Sequence, residues 1–115
     1  MPAIAFAAPI LPGKVEDWTA MVRSWEGEER SGYLESRNRA GVTREVCWLQ
    51  RTPQGEMAII YLEADDLEAA FRAFGASDSP FDERFRSRVL DIHGLDLTGP
   101  LPGGLPELAF DSPLP

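Results

Sequence analysis

A single cysteine in 115 residues excludes a disulfide framework, and a single histidine beside it excludes a zinc site built from cysteine and histidine alone. No run approaches the roughly 18 consecutive apolar residues of a membrane-spanning helix. Cations are scarce: eleven Lys and Arg stand against nineteen Asp and Glu, a formal net charge of -8. Such a chain repels phosphate backbones, so neither nucleic acid nor a membrane is an expected partner. Glycine-rich phosphate signatures are also missing, because Gly103-Gly104 lies between prolines and not between a strand and a helix. Apolar residues make up 43% and charged residues 26%, close to globular averages, which excludes disorder throughout and fits one small acidic domain.

The N-terminal stretch is apolar, but its first cation is Lys14, beyond Pro9 and Pro12. A secretory leader needs an early positive charge and a longer apolar core, so residues 3–8 read as a strand. With a lone cysteine, the expected compartment is the cytoplasm. A helical stretch follows over residues 14–30, with Val15, Trp18, Val22 and Trp25 on one face. Gly27 and Gly32 predict a break, with the helix resuming to Arg39 and stopping at Ala40-Gly41.

Residues 42–51 and 56–63 are the clearest strands, joined through Thr52-Pro53-Gln54-Gly55. Proline second and glycine fourth suit a type I turn followed by a glycine bulge. A three-residue loop, Pro53–Gly55, sets Thr52 opposite Glu56, Trp48 opposite Ile60 and Cys47 opposite Tyr61. It also sets Glu45 against Glu63, which would repel unless an arginine intervenes. One face then carries Val46, Trp48, Ala58, Ile60 and Leu62. The other carries Cys47, Leu49, Met57, Ile59 and Tyr61. Neither face is mainly charged, so the sheet needs cover on both sides. The chain's own helices can cover one, and a second copy is the economical cover for the other.

Asp65 or Asp66 caps a further helix with Leu67, Ala70, Phe71 and Phe74 as its stripe and Gly75 as its end. Ser77-Asp78-Ser79-Pro80 starts another over residues 81–93, with Gly94 as its stop and Asp78 and Asp82 as caps. Nine of the last 22 residues are Gly or Pro, so the division expected is a core over 1–96 and an arm over 97–115, with a candidate last strand near 105–111. The order is βαββα(α)β, the α+β ferredoxin-like pattern of an antiparallel sheet with helices on one face.

In Thr43-Arg44-Glu45, the Trp48–Gly55 string, Tyr61-Leu62-Glu63, Pro80-Phe81-Asp82 and His93-Gly94-Leu95-Asp96, the chain resembles the dimeric α+β barrel superfamily. It is most similar to an uncharacterised bacterial family within it. The resemblance implies two ferredoxin-like subunits packed sheet to sheet. It leaves the chemistry open, because the superfamily holds cofactor-free monooxygenases, lactone isomerases, haem-binding enzymes and stress-associated dimers.

Among single residues, His93 alone titrates near neutrality unperturbed. It stands at a predicted helix C-terminus, where the dipole favours a cation. It reads either as a general base or haem ligand, or as a helix-end residue bonded to terminal carbonyls. Asp91-x-His93-x-x-Asp96 holds metal-ligand types but lacks a partner cluster. Cys47 reads as a small buried hydrophobe. Tyr61 is either a ligand-binding hydroxyl or a packing residue, and Trp25 and Trp48 are candidate walls of an apolar pocket. Arg44, with Arg37, Asn38 and Arg39, forms a local positive patch able to steer an anionic ligand.

Three functions of different class are thus open. The first is a homodimer binding or transforming an aromatic or lactone-like molecule, monooxygenase or isomerase in type, without a cofactor. The second is a structural or stress-associated dimer. The third is a haem-binding protein using His93.

Overall fold

The computed structural model describes residues 2–115. Its elements follow in the order β1 (Ala3–Pro9), α1 (Val15–Ser24), α2 (Arg30–Ala40), β2 (Val42–Thr52), β3 (Gly55–Ala64), α3 (Leu67–Ala76) and α4 (Pro80–His93). The strands form one antiparallel sheet ordered β1-β3-β2. This is an α+β architecture compatible with a ferredoxin-like arrangement, with three strands among the described residues. Residues 105–111 form no strand, which corrects the expected fourth. Pro102, Pro106 and the paired glycines Gly103 and Gly104, both at φ +75, hold the arm in turns that withdraw it from any ladder.

Helix ends follow local chemistry. Gly41 and Gly94 adopt left-handed φ of 75 and 71 and close α2 and α4. The Asp66 carboxylate accepts from the Ala69 amide at 3.0 Å, and the Ser79 hydroxyl accepts from the Asp82 amide at 3.2 Å. Asp82 is therefore not a cap. It is buried, bonded to Ser36 and paired with Arg39 at 3.0 Å. Gly75 does not end α3 either. A Cβ there would lie 2.3 Å from the Leu97 carbonyl oxygen, so its role is to let the arm's backbone approach the helix.

The hairpin register differs by one residue from the expected one. Its loop is two residues long, with Thr52 opposite Gly55, Leu49 opposite Ala58, Trp48 opposite Ile59, Cys47 opposite Ile60 and Arg44 opposite Glu63. The Thr52 hydroxyl tightens this loop, donating to the Gly55 carbonyl at 2.6 Å and accepting from the Gln54 amide at 3.2 Å. A one-residue slip exchanges the faces of the partner strand. The face toward the helices carries Phe6, Ala8, Cys47, Leu49, Ile60 and Leu62. The opposite, open face carries Val46, Trp48, Met57, Ile59 and Tyr61, with Ala3, Ala5 and Ala7 of β1. The slip also removes the Glu45–Glu63 repulsion, because Glu45 now faces Leu62.

The helices pack on the inner face in two clusters. Ile10, Trp18, Met21, Trp25, Ala58, Phe81 and Ile92 form the larger. Ala40, Ala64, Ala70 and Phe74 form the smaller, with Leu97 of the arm packed against it. Trp48 remains 53% exposed on the open face.

Candidate functional site

Between the inner sheet face and the helices lies a cavity of about 340 Å³. β1 and β3 supply its floor with Phe6, Ala8, Ile60 and Leu62. Trp18, Met21 and Trp25 of the α1 region and Phe71, Phe74 and Phe85 of α3 and α4 enclose it. The arm roofs it through Leu97, Leu101 and Leu105. Few polar side chains reach it: Arg37, Glu45, His93 and the Cys47 thiol. That composition suits an apolar organic molecule held by a small number of oriented contacts.

His93 is buried at the end of α4, and its Nδ1 lies 2.8 Å from the Pro9 carbonyl oxygen. A carbonyl only accepts, so Nδ1 carries the proton. Burial holds the ring's pKa below its ordinary value, against the raising effect of the Pro9 carbonyl. This corrects the expectation of a helix-end cation: burial disfavours the charged ring, and the ring bonds to Pro9 of β1, not to its own helix. The neutral ring leaves Nε2 as a lone pair, the form a base or a ligand-binding acceptor needs.

Arg37 is the residue the sequence placed wrongly. It is 4% exposed and belongs to no surface patch. Its Nε pairs with the Glu45 carboxylate at 2.8 Å, and its Nη1 donates to the Ser36 hydroxyl at 3.0 Å. The guanidinium carbon sits 4.6 to 5.2 Å from the ring centroids of Phe85, Phe74, Tyr33 and Trp25. The Tyr33 hydroxyl donates to the same Glu45 oxygen at 2.7 Å. Burial, then the Glu45 charge, pushes the Tyr33 hydroxyl's pKa upward. The same two causes raise the Cys47 thiol to about 12, so it is no thiolate nucleophile. Two nitrogens buried beneath this wall, Arg37 Nη2 and Trp25 Nε1, have no hydrogen-bond acceptor among the described residues.

Of the candidate residues, the structure brings His93 and Trp25 to one cavity. Tyr61, Trp48 and Arg44 are on the open sheet face, so they line no pocket beside the helices. The Tyr61 hydroxyl donates to Glu63 at 3.0 Å on that face. Spacing held a signal for Arg37: Tyr33, Arg37 and Ala40 fall on one side of a helix, and Glu45 alternates with Cys47 and Leu49 on a core face. One opposite charge on each of two adjacent buried stripes marks a buried pair.

No helix among the described residues is long and apolar enough to cross a membrane, and no group of three or more metal-ligating side chains gathers among them. Compared with known proteins, the chain matches no family model, no curated protein and no solved structure.

Proposed function

We propose that this protein is a homodimer of the dimeric α+β barrel kind that holds a small apolar or aromatic molecule between its sheet and its helices. The cavity carries the reading: about 340 Å³, walled mainly by aromatic and aliphatic side chains, with His93 at its edge. The chemistry on offer is proton transfer without a cofactor. His93 Nε2 takes a proton from carbon next to a carbonyl and returns it at another position, an isomerase-type step on an aromatic or lactone-like substrate.

The open sheet face supports the dimer. Val46, Trp48, Met57, Ile59 and Tyr61 stand together opposite the helices. A continuous apolar face of this kind is a liability on a monomer, and a second copy covers it through a two-fold axis. The test is thermal unfolding across a panel of aromatic and lactone compounds. A ligand at 100 times its Kd stabilises by about 2.7 kcal/mol. A panel in which nothing raises Tm leaves a structural dimer whose aromatics only fill space.

A further inference from the structure

We infer that Glu45 selects and orients the ligand, and that the ligand carries a neutral hydrogen-bond donor, a hydroxyl or an N–H, received by Glu45 Oε2. The inference deepens the proposed function and rests on it.

Glu45 takes its hydrogen bonds on one oxygen. The Tyr33 hydroxyl donates to Oε1 at 2.7 Å, and Arg37 Nε donates to the same atom at 2.8 Å. Oε2 has no partner among the described residues, yet it is not sealed away. The fully occluded side-chain atoms without a partner are Arg37 Nη2 and Trp25 Nε1, so Oε2 keeps accessible surface on a side chain only 8% exposed. That surface opens on the cavity. Glu45 lines it, as do Cys47, two residues along the same strand face, and Leu62, the cross-strand partner of Glu45.

What the wall leaves open sets the direction of the hydrogen bond. Its strong donors are closed: Arg37 Nη2 and Trp25 Nε1 are occluded, and the guanidinium lies among four aromatic rings. With Nδ1 committed to the Pro9 carbonyl, His93 also offers an acceptor, Nε2. The Cys47 thiol is a weak donor at most. The ligand therefore brings the proton. Charge sets its type. Glu45 is already matched by Arg37 at 2.8 Å, so a carboxylate would set a second anion, and an ammonium a second cation, beside a balanced pair. A hydroxyl adds no net charge and makes a charge-assisted hydrogen bond. Held at Glu45, it fixes the ligand and leaves His93 Nε2 free for the reacting C–H.

Equilibrium dialysis at pH 7 of four probes on one skeleton tests this: 2-naphthol, 2-acetylnaphthalene, 2-naphthoate and 2-naphthylmethylammonium. The naphthol, a neutral donor at that pH, is expected to bind about tenfold or more tightly than the ketone, the scale of one hydrogen bond to a charged acceptor. In Glu45→Gln the amide oxygen must turn to Tyr33 and Arg37, since both donate, which puts the NH2 where Oε2 was. The preference for naphthol over ketone should then vanish or invert, with Tm recorded to confirm folding. Glu45→Asp keeps the charge beside Arg37 and withdraws the oxygen, so it reads the same contact in a variant whose ion pair is retained. It is expected to weaken the naphthol about fivefold and leave the ketone unchanged. Equal or tighter binding of the ketone, or an equal effect of Glu45→Asp on both probes, overturns the inference while the cavity reading stands. Tightest binding of 2-naphthoate or of the ammonium overturns the neutral-donor assignment. Binding of none of the four removes the inference together with the reading beneath it.

Discussion

Gly75→Ala reverses the usual effect of that substitution. Inside a helix, replacing glycine with alanine stabilises by about 0.5–1 kcal/mol. At Gly75 the added Cβ would lie 2.3 Å from the Leu97 carbonyl oxygen and 3.3 Å from its carbon. An ordinary contact needs 3.4 Å or more, so the arm's backbone must retreat by about 1 Å. Leu97 then loses its packing against the cluster of Ala40, Ala64, Ala70 and Phe74. Forced overpacking of this kind costs about 1–3 kcal/mol. The clash wins over propensity, and the net loss is about 1–2 kcal/mol, or about 4–8 °C in Tm for a chain this size. Because the arm also roofs the cavity, limited proteolysis should cut Gly75→Ala faster between residues 99 and 106. Gly27→Ala is the control, since its Cβ meets nothing closer than 3.8 Å. A Gly75→Ala protein as stable as the original, with its arm equally protected, would refute the docking of the arm on α3.

The two sheet faces separate in a pair of variants. Ile60→Asp puts a charge toward the helices and should cost at least about 2–3 kcal/mol in denaturant unfolding, whereas Ile59→Asp should leave the fold and shift sedimentation at micromolar concentration from dimer to monomer. A well-folded monomer before any substitution would sink the dimer. His93 has its pKa held below its usual value, so the folded state binds fewer protons than the unfolded near that value. Stability is complete above about pH 6.5 and declines as pH falls through the folded pKa. His93→Asn, which can still donate to Pro9, should lack that decline, and identical pH profiles would show that the ring titrates alike in the folded and unfolded chain. At Asp82 burial raises the pKa, but hydrogen bonds led by Ser36 prevail and bring it down to about 2. Asp82→Asn should cost about 2 kcal/mol at pH 7, with the gap closing as pH falls from about 4 towards 2; a gap that persists at pH 2 would mean that shape, and not charge, is what is lost.

Periodicity carried the helices and the hairpin. Trp18 and Trp25 were legible as core because their spacing is helical, and Ser79-Pro80 and Gly94 because caps are local. Register was not legible. Pro53-Gln54-Gly55 suits loops of two or three residues, and the difference of one moved Tyr61 from the face of Cys47 to the opposite, open face. Arg37 escaped because a charged residue among Asn38 and Arg39 resembles surface until Glu45 is placed across from it. Burial of His93 escaped as well, because its partner Pro9 is 84 positions away.

The place of β1 in the sheet has a consequence for the order in which the molecule assembles. β2 and β3 meet through a two-residue loop, while Pro9 pairs with Met57 and Ala3 with Glu63, contacts spanning 48 and 60 positions. Closure entropy grows with the span, so the hairpin forms early and β1 joins late. β1 brings the cavity floor, Phe6 and Ala8, and the carbonyl that orients His93. The cavity therefore comes into being with the last strand to dock. Native-state hydrogen exchange should show β1 amides opening before those of β3, and a ligand should slow both, since only the finished fold has a place to hold it.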